Sequence, residues 1–297
     1  MLVVRVLRRT ARVLDAVPAS PTATPGVGRL AGRSGRADPR EEVDLDLTLV
    51  VPYYNPGFQL ASHLSDLADV LRGHAVRFEI IAVSDGSTDG SDSGIERLGP
   101  EVRAVRLPRN MGKGQALRVG FGGGRGEFIG FIDGDGDIPA STVGPFVACA
   151  KQRNPDFVIG SKRHPDSNVI YPPIRRFYSW GFQLLTKLLF GLNATDTQAG
   201  LKLARRDVIV RVLPLLEERG FAFDLELLAV AHRLGFDQIV ELPIEIRERF
   251  SSSISLRAAW DMLLDAAGLF WRLRIVKEYD KADAASAAVT SASAAAN

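Results

Sequence analysis

Three aspartates alternate with glycines immediately after an apolar run at Phe128 to Ile132. That run has the length and composition of a buried strand. Three carboxylates so close together repel one another unless a cation lies among them, and Mg²⁺ and Mn²⁺ take such oxygen ligands and link them to phosphates. The cluster Asp133, Asp135 and Asp137 therefore predicts a site for a divalent metal.

Two other interpretations of this acidic turn compete with a metal–phosphate site. A calcium-binding EF-hand loop also begins with aspartates at alternate positions, but it requires glycine at its sixth position and an acid at its twelfth. Those positions hold Ile138 and Gly144 here, which disfavours an EF-hand. A solvated acidic turn without a ligand stays open.

Polar loops also follow three earlier apolar runs. Residues 52–56 read P-Y-Y-N-P, residues 84–90 read S-D-G-S-T-D-G, and residues 109–114 read R-N-M-G-K-G. Glycine lets the backbone approach a ligand closely, because it has no Cβ. Together with the acidic turn, these loops are the candidates for a binding site.

The elements that must position these loops alternate between strands and helices. The expected strands are Leu47 to Val51, Glu79 to Val83, Val102 to Leu107, Phe128 to Ile132 and Phe157 to Ile159. The expected helices are Gln59 to Arg72, Asp92 to Leu98, Gly114 to Gly122 and Thr142 to Gln152. This alternation predicts a mostly parallel, doubly wound α/β sheet. Ligands bind such sheets outside the carboxyl ends of the strands, where the loops described above would meet.

Composition limits the class of protein. The chain has 297 residues, 46% hydrophobic and 24% charged, as in globular proteins. It contains no uninterrupted apolar run of the roughly 18 residues that a membrane-spanning helix needs. The single Cys149 excludes an internal disulfide. The net charge of +2 is an average over unlike parts, since residues 1–40 carry eight arginines against two aspartates.

The order of these motifs resembles the nucleotide-sugar-binding half of inverting GT-A glycosyltransferases of glycosyltransferase family two. Within that group the chain is similar to the polyprenyl-phosphate glycosyltransferases. G-S-K-R at 160–163, D-T-Q-A-G-L-K at 196–202 and F-D-L-E-L-L at 223–228 look closest to the dolichyl-phosphate β-glucosyltransferase branch. Dolichyl-phosphate mannose synthase is the sister branch. The resemblance covers roughly residues 45–276, and it implies the GT-A fold.

The resemblance implies a nucleotide-sugar site with a metal ion, Mg²⁺ or Mn²⁺, at the three aspartates. The residues assigned to the nucleotide sugar are Pro52, Tyr54, Asn55, Asp85, Lys113 and Asp133. The family often has an acid where this chain has Pro56, and a pair of aspartates where it has Ser84 and Asp85. Both departures lie near the expected base and ribose, so the identity of the nucleotide stays open. A structural turn cap is the alternative role for Asp85.

Several cations occur among hydrophobic segments, where a bare charge would be costly. They are Arg163, Arg175, Arg176 and Lys202, and they are candidates for binding the acceptor phosphate and the donor diphosphate. Arginine suits this role because its planar fork matches phosphate oxygens. We assign the acceptor phosphate to Arg175, Arg176 and Ser179, although one of the two arginines could simply lie at the surface.

The catalytic residues are expected to be Asp135, Arg163, Lys202 and Asp224. A phosphate acceptor needs no general base, since a phosphate monoester with a second pKa near 6 is largely dianionic at neutral pH. Asp224 and Glu226 look like base candidates, and a carboxylate here would deprotonate a sugar hydroxyl in other inverting glycosyltransferases. We expect Asp224 instead to orient groups or balance charge near Lys202 or an arginine. A helix N-cap is its alternative role.

Two apolar segments predict where a lipid and a membrane surface would bind. Residues 177–192 carry apolar side chains or glycine at helical spacing, and residues 256–279 form an amphipathic helix with tryptophan beside basic residues. A buried core helix is the alternative for the first. The expected organisation is a flexible basic arm at 1–44, a GT-A catalytic domain at 45–255 that includes helix 177–192, the helix 256–279, and a disordered tail at 280–297.

These expectations combine into a metal-dependent, inverting hexosyltransferase. It would move glucose from UDP-glucose to a polyprenyl phosphate, acting peripherally on the cytoplasmic face of the cell membrane and without a nucleic-acid partner. The alternatives are the same chemistry with GDP-mannose, a glycan acceptor with Asp224 as base, and a membrane-associated nucleotide-binding module without catalysis. A nucleotidyltransferase is disfavoured, because it normally has a glycine-rich, arginine-containing loop where residues 53–55 read Y-Y-N.

Overall fold

The fold is built on a seven-stranded sheet, seen in a computed structural model that describes residues 45–167, 173–220, 222–246 and 266–276. Its elements are β1 (Leu47–Tyr53), α1 (Gln59–Gly73), β2 (Phe78–Ser84), β3 (Val102–Arg106), α2 (Lys113–Gly122), β4 (Phe128–Ile132), α3 (Val143–Arg153), β5 (Phe157–Ser161), α4 (Pro173–Phe190), β6 (Leu201–Arg205), α5 (Arg206–Val212), α6 (Phe223–Arg233) and β7 (Ile239–Pro243). Residues 266–270 are also α-helical, and Trp271–Val276 continue as a π-helix.

The strand order is β3-β2-β1-β4-β6-β5-β7. Only β6 among these seven runs antiparallel to its neighbours, β4 and β5, and the other pairings are parallel. The predicted mostly parallel, doubly wound sheet is confirmed. The chain builds outward from β1 to β3 and then returns to the other side of β1 with β4. The topological switch point therefore lies between β1 and β4, where ligands bind such sheets.

The central strands are buried on both faces, as expected for parallel strands covered by helices on either side. Every residue of β1, β2 and β4 is buried. Because side chains alternate along a strand, Leu49 and Val51 join the core formed with α1 and α3, whereas Val50 joins the core formed with α2, α5 and α6. This packing fixes the carboxyl ends of the strands along one edge.

The predicted helix at Asp92 to Leu98 is wrong. The structure has a single 3₁₀ turn there, Ile95–Arg97. Gly94 and Gly99, on either side of the turn, have φ angles of +92° and +120°, a left-handed conformation that interrupts a helix. The strand β1 also continues beyond its predicted end, so that Pro52 lies within the strand rather than in the loop that follows it.

The sequence pattern does not predict β6, β7, α5 or α6. β6 reads L-K-L-A-R and β7 reads I-V-E-L-P, so both strands mix apolar and charged residues. The partners of β6 are β4 and β5, and the partner of β7 is β5. These strands depend on tertiary pairing more than on a local pattern.

Glu79, at the amino edge of the sheet, is expected to make the free energy of unfolding depend on pH in the acid range. Its buried carboxylate accepts hydrogen bonds from the hydroxyl of Thr48 (2.8 Å) and the N–H of Arg125 (3.0 Å). Burial alone would raise the pKa of Glu79, but the bonds from Thr48 and Arg125 outweigh it and hold the pKa below its usual range. Stability from this group is thus complete above the unfolded pKa of about 4.3 and is lost as pH falls through the lower folded value.

Glu79→Gln is therefore expected to flatten the acid limb of the stability curve. Urea unfolding of both proteins, measured in steps from neutral pH to about pH 3, would show the difference in free energy shrinking as the pH falls. A difference that stays constant over this range would contradict the assignment.

Candidate active site

The acidic turn follows β4 at the carboxyl edge of the sheet. Asp133 is half-buried, and Asp135 is exposed. The N–H of Asp133 donates to the carbonyl of Gly200 (2.9 Å), and Oδ1 of Asp135 accepts a hydrogen bond from the N–H of Asp137 (3.1 Å). A Cβ at Gly200 would lie 2.3 Å from Oδ2 of Asp133. A side chain at position 200 would therefore displace the carboxylate of Asp133.

The chemistry of the turn fits a divalent cation. Burial raises the pKa of Asp133, and the charges of Asp224 and Asp135 add to this rise against the opposing effect of Lys113. A cation held by Asp133 and Asp135 would relieve the repulsion, and carboxylate oxygens suit Mg²⁺ or Mn²⁺. Among the described residues, no three His, Cys, Asp or Glu side chains form a ready group for a metal. The metal site at Asp133, Asp135 and Asp137 stays a prediction.

Behind the turn, four side chains of alternating charge lie next to one another: Asp133, Lys113, Asp224 and Lys202. We call this group the lysine–aspartate chain. Nζ of Lys113 lies 2.7 Å from Oδ1 of Asp133 and 3.4 Å from Oδ2 of Asp224. Nζ of Lys202 lies 2.6 Å from Oδ1 of Asp224 and donates to the carbonyl of Ala199 (2.7 Å). The expected neighbourhood of Asp224 and Lys202 is confirmed.

Burial sets the energetics of the lysine–aspartate chain. Lys202 is 1% exposed and Asp224 is 3% exposed. Burial would raise the pKa of Asp224, but the ammonium groups of Lys113 and Lys202 outweigh it and hold the pKa below the usual range. Burial lowers the pKa of Lys202 despite the nearby Asp224. Both ammonium groups also lie over the ring of Phe131, 4.9 and 5.1 Å from its centroid, which favours the cations.

The turn that precedes Lys113 is held by the carboxylate of Asp85. The carboxylate of Asp85, at the end of β2, accepts hydrogen bonds from the N–H groups of Met111 (2.7 Å) and Gly112 (2.9 Å). Gly112 has a φ of +96°, which favours glycine. The structure thus gives Asp85 a role in fixing this loop, while its predicted contact with the nucleotide stays untested.

Asn55, which the sequence analysis assigned to the nucleotide-sugar site, joins the loops after β1 and β2. The N–H of Asn55 donates to Oγ of Ser87 (3.0 Å), and Oδ1 of Asn55 accepts from the N–H of Thr88 (2.8 Å). Tyr54 is 51% exposed beside this junction, whereas Pro52 is buried in β1. Tyr54 is therefore the more accessible of the two for a nucleotide base.

The predicted acceptor side lies after β5 and along α4. The exposed Arg163 donates from its guanidinium to the side-chain oxygen of Gln183 on α4, and its N–H donates to Oγ of Ser161 (3.2 Å). Arg175, Arg176 and Ser179 lie on α4, but their side chains fall outside the described residues. The described contacts therefore link Arg163 to α4 without testing the assignment to the acceptor phosphate.

Sequence reasoning missed two residues of this region. Phe131 was predicted only as part of a buried strand, yet its ring lies beneath both lysines. Gln183 was part of an apolar helix and carried no signal of its own. Asp224 is the second residue of α6, after an N-cap at Ala222, so the alternative role of Asp224 as the N-cap is wrong.

Apolar side chains remain exposed on the segments predicted to meet a membrane. The exposed fractions are 43% for Leu184 and 74% for Leu188 on α4, and 50% for Trp271. Phe190, the last residue of α4, is instead buried and packs edge-on against Phe270. Within the described part of the chain, no helix combines the length and the apolar character needed to cross a membrane. Residues 1–44, 256–265 and 277–297 lie outside the described residues.

The sheet order and the acidic turn at its switch point define the GT-A class of glycosyltransferases. Glucosyl-3-phosphoglycerate synthase from Mycobacterium tuberculosis, crystallised with Mn²⁺, uridine diphosphate and phosphoglyceric acid, superposes with a TM-score of 0.60 at 19% identity. The match covers 76% of this chain and 79% of that one. The likeness shows the fold, and the predicted GT-A architecture is confirmed.

Residues 48–213 match the family described as glycosyl transferase family 2, and the chain belongs to this family. It is 30% identical to the dolichyl-phosphate β-glucosyltransferase of Saccharomyces cerevisiae, over 73% of this chain and 71% of that protein. It is also 29% identical to the undecaprenyl-phosphate mannosyltransferase of Micrococcus luteus, over 67% and 83%. The predicted resemblance to polyprenyl-phosphate glycosyltransferases is confirmed.

Proposed function

We propose that this chain transfers glucose from UDP-glucose to a polyprenyl phosphate with inversion at the anomeric carbon. The similarity to the dolichyl-phosphate β-glucosyltransferase of Saccharomyces cerevisiae supports glucose as the sugar. The observation that carries the phosphate acceptor is the state of Asp224, whose two carboxylate oxygens both contact lysine ammonium groups in a buried site. Such a carboxylate is a poor general base, because protonation would weaken both ion pairs. An acceptor that is already anionic needs no base, and a phosphate monoester is such an acceptor.

The reaction is a displacement at the anomeric carbon. An oxygen of the acceptor phosphate attacks, its new bond to carbon forms, and the bond to the nucleoside diphosphate breaks with its electron pair leaving on the diphosphate. Asp133, Asp135 and Asp137 would hold a divalent cation, which would supply Lewis-acid stabilisation of that leaving group. Lys113, held beside Asp133, presents a fixed positive charge to the same phosphates.

The remaining assignments are part of this proposal. Pro52, Tyr54, Asn55 and Asp85 contribute to the nucleotide site, and Arg163, Arg175, Arg176 and Ser179 bind the acceptor phosphate. The exposed apolar side chains of α4 and of Trp271 support peripheral contact with a membrane. The proposal places this contact at the cytoplasmic face. The domain boundaries 1–44, 45–255, 256–279 and 280–297 stand as part of the same proposal.

GDP-mannose is the second candidate donor. The specific observation in its favour is the similarity to the undecaprenyl-phosphate mannosyltransferase of Micrococcus luteus. A glycan acceptor is disfavoured, because it would require Asp224 to act as the base.

Transfer to lipid tests the proposal. Purified protein with Mg²⁺ or Mn²⁺ is incubated with radiolabelled UDP-glucose or GDP-mannose and vesicles that contain a polyprenyl phosphate. We expect label in the organic phase with UDP-glucose. Vesicles that contain the matching polyprenol, which lacks the phosphate, should give none. Label with neither nucleotide sugar, or equal label with the polyprenol, would contradict the proposal.

A further inference from the structure

A carboxylate that the proposed mechanism does not use lies two residues after Asp224 on α6. Successive residues of a helix are about 100° apart, so side chains two positions apart point to nearly opposite sides. Asp224 reaches the lysines, whereas the fully buried Glu226 points to the segment before α6. Oε2 of Glu226 accepts hydrogen bonds from the N–H groups of Glu217 (3.1 Å) and Glu218 (2.8 Å).

The C-terminal segment reaches the same carboxylate. Nη2 of Arg272 lies 3.7 Å from Oε1 of Glu226 and 3.4 Å from Oε2 of Glu218, and Nη1 lies 3.6 Å from Oε2 of Glu217. One guanidinium thus contacts three carboxylates. Because Glu226 is fully buried, its attraction to Arg272 and to the two N–H groups is poorly screened by solvent.

The segment held by Glu226 in turn supports the turn of Lys113. The carbonyl of Arg219, the next residue after Glu218, accepts a hydrogen bond from the N–H of Gly114 (2.8 Å). A Cβ at Gly112 would lie 2.3 Å from that carbonyl oxygen. The backbones are packed so closely on both sides of Lys113 that a shift of the segment must move the lysine.

We propose that Glu226, together with Arg272, is a positioning residue that holds Lys113 in place for the donor diphosphate. Glu226 accepts hydrogen bonds from the N–H groups of residues 217 and 218 and so holds this segment in place. The carbonyl of Arg219 in the same segment accepts a hydrogen bond from Gly114, the residue next to Lys113. The C-terminal segment thereby takes part in forming the donor site. The inference rests on the proposed function, because it assumes that Lys113 binds a nucleoside diphosphate.

Glu226→Gln tests the inference by keeping the shape of the side chain and removing its charge. Binding of uridine diphosphate with Mg²⁺ is measured by calorimetry, with guanosine diphosphate as a second probe, and transfer is measured at varied donor and acceptor concentrations. We expect the Kd for the bound nucleotide and the KM for the sugar nucleotide to rise about tenfold, since small misplacements of a binding group are costly. The KM for the lipid acceptor should stay unchanged.

Glu79→Gln is the matched control, because Glu79 is another buried carboxylate that accepts a backbone N–H and pairs with arginine, at the opposite edge of the sheet. It should lower the thermal unfolding midpoint without changing the nucleotide Kd. Arg272→Met is the second variant, needed if Glu226→Gln fails to fold, and it should raise the same Kd. Arg272→Lys should restore part of the affinity. Hydrogen exchange at residues 111–117 should speed up in Glu226→Gln and Arg272→Met.

The outcomes separate the inference from the proposed function. Unchanged nucleotide affinity in a folded Glu226→Gln or Arg272→Met, with the unaltered protein binding normally, would overturn the inference alone. An equal loss of affinity in Glu79→Gln would overturn it too, because the effect would then be one of general stability. Failure of the unaltered protein to bind either nucleoside diphosphate would overturn both.

Discussion

Replacing Asp135 with asparagine is expected to lower kcat for sugar transfer by about 10²–10³-fold, as comparable losses of transition-state electrostatics do. In the proposed site the charge of Asp135 would help to hold a divalent cation, which would neutralise the leaving diphosphate. The side chain is exposed at the carboxyl edge of the sheet, so its loss should cost the fold little. The effect should therefore appear in the rate and not in the thermal unfolding midpoint.

The measurement is the initial rate of label transfer into the lipid phase, over a range of Mg²⁺ and Mn²⁺ concentrations. Asp69→Asn is the control, because this carboxylate is 68% exposed on α1 and lies outside the acidic turn. It should keep the rate and the metal dependence of the unaltered protein. A loss in Asp135→Asn of less than about tenfold, equivalent to about 1.4 kcal/mol of transition-state stabilisation, would count against the metal site.

Replacing Asp224 with asparagine is expected to lower the free energy of unfolding by about 3–5 kcal/mol, the usual cost of removing one partner of a buried ion pair. Nζ of Lys202 would keep the carbonyl of Ala199 but lose its counter-charge in a site where it is 1% exposed. Lys113 would retain Asp133. Urea unfolding at neutral pH measures this loss.

A double variant separates charge from packing. Asp224→Asn combined with Lys202→Met should recover a substantial part of the lost stability, because the uncompensated ammonium is removed along with its partner. Asp69→Asn, which breaks an exposed pair with Arg72, should change the stability little. If Asp224→Asn lost no more than this control, the lysine–aspartate chain would not be the buried network that its geometry indicates.

The first half of the fold could be predicted because its signals are local. The strands β1, β2 and β4 each carry their own apolar run, and the helices α1, α2 and α3 carry their own periodicity. The prediction failed where glycine overrode an apparent helix at 92–98, and at the short strands β6 and β7, which mix apolar and charged residues. For the same reason β6, which carries Lys202, was not predicted as a strand at all.

The candidate site divides in the same way. The three aspartates after β4 could be predicted as a metal site from the sequence, because they lie within five residues of one another. The pairing of Lys113 with Asp224 joins positions 111 residues apart, and the pattern around each of them gives no sign of the other. Glu226 looked like a base candidate, yet its carboxylate accepts backbone N–H groups in a fully buried position.

The sequence by itself determined the fold class, the family and the order in which reactive groups occur along the chain, because apolar periodicity and short motifs are local properties. Only the tertiary structure decided which charges meet and how deeply each is buried, because these depend on the path of the whole chain. Burial and pairing then control protonation. They make Asp224 a partner of two lysines rather than a free base, and that state of Asp224 is what favours a phosphate acceptor.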